Sequence, residues 1–118
     1  MTRDVRAIFA TIDRLDADGF VGALTPGVRF RFGNAEPVVG SAAVRDAVTG
    51  FFGTIAGLTH HVLEVWDTGP DVTAVRIEVE YVRTDGKHVT VPNLDVLRWQ
   101  GDRVADWQIY IDLTPVFS

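Results

Sequence analysis

The sequence predicts an α+β fold: a cone-shaped α+β barrel, with N-terminal helices packed in the concave face of a curved, mainly antiparallel sheet. Three observations predict it. Apolar residues recur at helical spacing in two stretches of the first half. Residues alternate in character along four long stretches of the second half, the period of a strand. The order, helix, short helix, one short strand, helix and then a strand meander, describes a sheet wrapped around a helix, and such a shape leaves a pocket in its mouth.

Val5, Ile8, Phe9, Ile12 and Leu15 share one helical face, with Arg3, Asp13 and Arg14 among the polar positions, and this first helix is expected to end near Asp16 to Gly19. Asp18 is placed to cap a short second helix, Gly19 to Leu24, stopped by Thr25-Pro26-Gly27. Val28 to Phe32 reads as a short strand that leads into the turn Gly33-Asn34-Ala35-Glu36-Pro37. A third helix opens at Gly40-Ser41 with Ser41 as N-cap; Val44, Val48, Phe51 and Ile55 form its buried stripe, and Gly57 ends it.

Four strands follow: His60 to Asp67, Val72 to Thr84, His88 to Trp99 and Arg103 to Leu113. Gly69-Pro70-Asp71, Asp85-Gly86 and Gly101-Asp102 supply the turns, and Thr114-Pro115 stops the last strand. Pro92 lies within a strand, which calls for an edge position or a bulge, and a bulge would bend the sheet. No strand has a wholly polar face. Apolar residues on both faces imply two covers, the helices on one side and a second copy of the chain on the other, so a homodimer through the convex face is expected.

The 118 residues are enough for one domain with its own core, and the hydrophobic share of 47% is too high for disorder. A net charge of -5 lacks the basic footprint of a nucleic-acid binder. The chain has no cysteine, hence no disulfide and no thiol nucleophile. The charged start Met1-Thr2-Arg3-Asp4-Val5-Arg6 does not read as a signal peptide, and no apolar run approaches the ~20 residues of a membrane span. A cytoplasmic protein acting on neither nucleic acid nor membrane is expected.

Asp95 and Asn93 share a strand face with Val91 and Leu97. Polar groups inside an apolar wall need partners; a ligand is one, and a hydrogen bond to Trp107 or Tyr110 across the sheet is another. Of His60 and His61 only one can face a pocket, and a neutral histidine near a carboxylate is suited to general-base work. No His-x-His or His-Glu-x-x-His spacing suggests a metal. Glu78 and Glu80 share a face; the alternation makes it the solvent face, with Val75, Ile77, Val79 and Tyr81 toward the core. Asp13 reads as an exposed helix acid. Phe32, Trp66 and Trp107 are core residues of which some line the pocket, suiting a flat or cyclic apolar ligand.

Phe32-Gly33-Asn34, Gly40 before the third helix, Asp85-Gly86-Lys87 and the closing Trp107-Gln108-Ile109-Tyr110-Ile111-Asp112-Leu113 resemble the nuclear transport factor 2-like superfamily. Within it, the chain resembles the SnoaL-like polyketide cyclase and limonene-1,2-epoxide hydrolase-like branches, over nearly its whole length as one domain. The resemblance puts His60 inside the pocket with Val62, Glu64 and Trp66, and makes Asn34 a pocket residue. It places Phe32 where the hydrolases have a tyrosine, Glu78 and Glu80 near their arginine and second aspartate, and Ile109 where they have the water-activating aspartate. An isoleucine accepts no proton, so epoxide hydrolysis by that mechanism is not expected, and Ile109 is left as an apolar pocket wall. The resemblance puts Glu80 toward the pocket, against the alternation, and leaves Asp112 as the remaining late-strand acid, provided a strand-end irregularity turns it inward.

The expected function is proton transfer next to a carbonyl on a small apolar cyclic molecule: isomerisation, cyclisation or dehydration, with no cofactor and no metal. Asp95 or His60 is the expected base, with Asp112 and Glu80 as further acids, and Asn34 or Asn93 steadies the oxyanion. The alternative is a non-catalytic binding protein for a small hydrophobic ligand.

Overall fold

The computed structural model describes residues 3–118; Met1 and Thr2, the start of the charged N-terminal stretch, lie outside the described residues. Helix α1 (Val5–Asp13) opens on Asp4, whose carboxylate accepts from the Ala7 N–H at 3.1 Å. It buries Val5, Ile8 and Phe9. It ends short of Asp16 because Leu15 adopts a left-handed φ of 57°, which turns the chain and leaves that side chain exposed. The cap of α2 (Ala17–Val21) is consequently Asp16, not Asp18; it accepts from the Gly19 N–H at 2.9 Å.

Strand β1 (Leu24–Phe32) starts earlier than expected and runs through Thr25-Pro26-Gly27, with a register shift against its neighbour between Leu24 and Arg29. A two-residue strand, β2 (Val38–Val39), pairs with it. Helix α3 (Ser41–Phe52) has Gly40 at its N-cap, at φ 97°, with no side-chain cap bond, and Gly53 rather than Gly57 at its C-cap. Ile55 lies beyond the helix and is buried all the same.

The meander is β3 (Gly57–Gly69), β4 (Val72–Val82), β5 (His88–Gln100) and β6 (Arg103–Ile111), followed by the short helix α4 (Thr114–Phe117). The strand order is β2-β1-β6-β5-β4-β3; β1 and β6 run parallel and every other pair antiparallel. Pro92 sits in an interior strand, and its register with β4 is unbroken. On the other side β6 ends at Ile111, opposite Asn93, so Pro92 stands at a local edge.

The two faces separate as the alternation requires. Val75, Ile77, Val79 and Tyr81 of β4 are at most 2% exposed, and Val91, Leu97 and Trp107 join them under the helices. Phe9 of α1 and Phe20 of α2 meet the Trp107 ring edge-on at 5.6 and 5.2 Å, so the helical layer locks to the sheet through aromatic rings. The opposite face carries Arg76, Glu78 and Glu80 among exposed apolar side chains, with Trp66 at 42% and Tyr110 at 58% exposure.

Candidate functional site

The helices do not fill the concave face. A cavity of about 210 Å³ remains between α1 to α3 and the sheet. Its wall is mainly aromatic: Phe9, Phe20, Phe30, Phe32, Phe51, Phe52 and Trp107, with Ile109 and Val48 among the aliphatic side chains between them. Among the described residues, only Asp95, His60, Tyr81 and Glu36 bring ionisable groups to it, Glu36 from an exposed loop position.

Asp95 is built in from β5. Its pairing with Val75 on one side and Ile109 on the other turns its side chain to the concave face, where it is 2% exposed. A carboxylate there needs donors. Asn93, two residues along and on the same face, donates its amide to Oδ1 at 2.6 Å, and the Trp107 indole donates to Oδ2 at 2.9 Å. Burial still outweighs these bonds and the nearby His60, pushing the Asp95 carboxyl up from 3.8 to about 6. At neutral pH it is ionised, yet a stronger base than an ordinary carboxylate.

His60 comes from β3, opposite Val79. Its ring packs on Phe9, with centroids 4.8 Å apart. Nδ1 lies 2.6 Å from Asp13 Oδ1, and the His60 backbone N–H reaches both Asp13 oxygens at 3.1 Å. Asp13 is therefore not a free surface acid. It sits in the last position of α1, over the first half of β3, and a carboxylate there holds the proton of the pair on Nδ1. In the neutral ring Nε2 then carries the lone pair, and no described residue bonds it. Nothing local in the sequence marks this pair, whose members are 47 residues apart.

The remaining candidates divide. Phe32, Trp107 and Ile109 line the cavity as expected. Asn93 does not reach it; its amide is engaged by Asp95. Asn34 lies in the exposed turn, in a separate surface depression with Arg31, Gln108 and Tyr110, and is not a cavity residue. Trp66 faces outward, because the bulge between Val62 and Glu64 reverses the parity of β3 and brings Trp66 opposite Ala74 of the outer face. Glu64 is turned outward by the same bulge and pairs with Arg76 at 3.1 Å.

Glu80 follows the alternation rather than the resemblance. On the outer side it accepts from His61 at 3.1 Å and His88 at 2.7 Å, and these bonds, that of His88 foremost, hold its carboxyl below its usual range. Asp112, past the end of β6, folds back to accept from the Thr114 N–H at 3.0 Å; no strand-end irregularity turns it inward. Tyr81 is a cavity residue the sequence reading passed over, since its place among Val75, Ile77 and Val79 marked it as plain core. Among the described residues, no group of histidines and acids has the arrangement of a metal site, and no helix is long and apolar enough to cross a membrane.

Comparison with known proteins agrees with this architecture. No curated protein matches the sequence. An NTF2-like protein of unknown function from Burkholderia pseudomallei superposes with a TM-score of 0.85 at 20% identity, over 98% of this chain and 95% of that one. A protein assigned as a SnoaL-like polyketide cyclase from Jannaschia gives 0.79 at 20% identity, over 97% and 88%. A limonene epoxide hydrolase-like (LEH-like) epoxide hydrolase from M. tuberculosis gives 0.79 at 15% identity, over 94% and 81%. At these identities the likeness is one of fold. The SnoaL-like domain family matches residues 5–107, most of the chain and every cavity-lining residue but Ile109, and the chain belongs to that family, within the nuclear transport factor 2-like superfamily.

Proposed function

We propose that the chain binds a small, largely apolar molecule in the aromatic cavity and moves a proton at a carbon next to its carbonyl, in the manner of an isomerase, cyclase or dehydratase. The observation that carries this reading is Asp95: a buried carboxyl, held by two donors, on the wall of an apolar void beside a histidine whose outer nitrogen is free. In the proposed step an Asp95 oxygen takes the proton from carbon. The C–H electron pair forms the enolate double bond, and the carbonyl pair moves onto oxygen. His60, oriented by Asp13, exchanges a proton with the substrate at a second position. General-base assistance of this kind contributes roughly 10²- to 10⁴-fold. Relatives with the same fold include proteins named as a polyketide cyclase and an epoxide hydrolase, which supports a small-molecule pocket. The hydrolase mechanism is not proposed here, since Ile109 occupies the cavity wall where a water-activating acid is needed.

The test is deuterium incorporation next to the carbonyl of a cyclic ketone, 1-tetralone, followed by NMR in D₂O. Incorporation faster than in buffer, abolished in Asp95→Asn, is expected. Binding without incorporation would instead establish a non-catalytic binding protein, a reading favoured by the two bonds already made by the Asp95 oxygens.

The second proposal concerns the partner. Leu63, Trp66 and Tyr110 are exposed on the outer sheet face, with Leu94 and Val96 half-buried between them. A second copy of the chain covering this convex face accounts for the pattern, and the solution mass tests it.

A further inference from the structure

Tyr81 stands apart from the other cavity residues. It is 2% exposed, its ring lines the cavity, and Phe51 packs edge-on against it at 6.1 Å. Among the described residues nothing hydrogen-bonds its hydroxyl, yet that oxygen is not sealed off by protein atoms. The open space beside Tyr81 is the cavity it lines. Burial and the charge of Asp95 hold the phenol well above its usual range, so it stays protonated and offers an O–H donor. A donor without a protein partner is open to an acceptor carried by a ligand.

Two further observations bound what the ligand is. No lysine or arginine among the described residues lines the cavity, and the carboxylates Asp95 and Glu36 on its wall repel an anion. A cavity of about 210 Å³ falls below the ~300–1,000 Å³ of pockets that take drug-sized ligands, which points to a molecule of one or two rings.

We infer that the cavity selects an uncharged one- or two-ring carbonyl compound whose carbonyl oxygen accepts a hydrogen bond from the Tyr81 hydroxyl. This rests on the proposed small-molecule reading and narrows it to a ligand class, with Tyr81 as the residue that determines specificity.

Calorimetric titration of the full chain with four probes tests it: 1-tetralone, tetralin, which lacks the carbonyl, 1-naphthoate, which is anionic, and progesterone, which has four rings. The same titrations on Tyr81→Phe complete a cycle in which the ratio of tetralone to tetralin affinity isolates the hydroxyl–carbonyl bond. That ratio is expected to fall roughly tenfold in the variant, with naphthoate and progesterone binding neither protein. An unchanged ratio, or naphthoate or progesterone binding as tightly as tetralone, overturns the inference while leaving the cavity a ligand site. Failure of every probe to bind the wild-type chain overturns both the inference and the reading beneath it. If Tyr81→Phe does not fold, tetralin binding the wild type as tightly as tetralone still decides against the inference.

Discussion

Replacing Asp95 by asparagine is expected to make the protein more stable at neutral pH while destroying its proposed activity. The sign follows from burial. The folded chain raises the Asp95 carboxyl to about 6 from its ordinary 3.8, so between these values the native state holds a proton that the unfolded chain has released. Stability then falls as pH rises through this window, is unaffected by Asp95 below about 3.8, and carries the full penalty above about 6. At about 1.36 kcal/mol per pH unit, the interval from 3.8 to about 6 amounts to about 3 kcal/mol. Asparagine has nearly the same shape and no charge to desolvate, and its carbonyl can still accept from the Trp107 indole. It loses one of the two bonds, costing about 1 kcal/mol at any pH. Urea unfolding of both proteins from pH 3.5 to 8 is the assay. The difference between the two curves, which cancels every other titrating group, is expected to change by about 3 kcal/mol in favour of the variant between about pH 3.5 and 8. Parallel curves would show that Asp95 is as well solvated when folded as when unfolded, and the buried-base argument would fail.

Three other outcomes are expected. Asp13→Ala leaves His60 without its orienting acceptor, so deuterium incorporation into tetralone should drop by about 10²-fold with little change in KM, and stability should fall by about 1 kcal/mol; an unaltered rate would show that His60 needs no positioning. Glu80→Ala should leave cavity binding by titration unchanged, because its His61 and His88 partners are on the outer face. Leu94→Asp, in the middle of that face, should convert a dimer to a monomer by analytical ultracentrifugation, with the cavity still able to bind ligand.

The amino-acid sequence by itself determined most of the frame. Alternation has a period of two, and in β4 it placed Val75, Ile77, Val79 and Tyr81 under the helices and Glu78 and Glu80 outside, without help from anything distant. The same rule put Asp95 and Asn93 on an apolar wall, and the Trp107 bond was one of the two partners considered for Asp95. Helix faces were legible for the same local reason. Helix ends were less so, since Leu15 and the capping competition between Asp16 and Asp18 turn on single dihedral choices.

Tertiary structure decided the rest, because the site is made of distances that no local pattern encodes. One bulged residue between Val62 and Glu64 sent Trp66 to the opposite face from His60, although both positions are even-numbered on one strand. Asp13 became the partner of His60 only when α1 was laid across β3. Asn34, placed in the pocket by resemblance, lies in a solvent-facing turn. The void itself is a packing result: it exists because the rings from the three helices and the sheet stop short of one another, and it turns Tyr81 from a core residue into an open donor and Asp95 from a buried acid into a base with space in front of it.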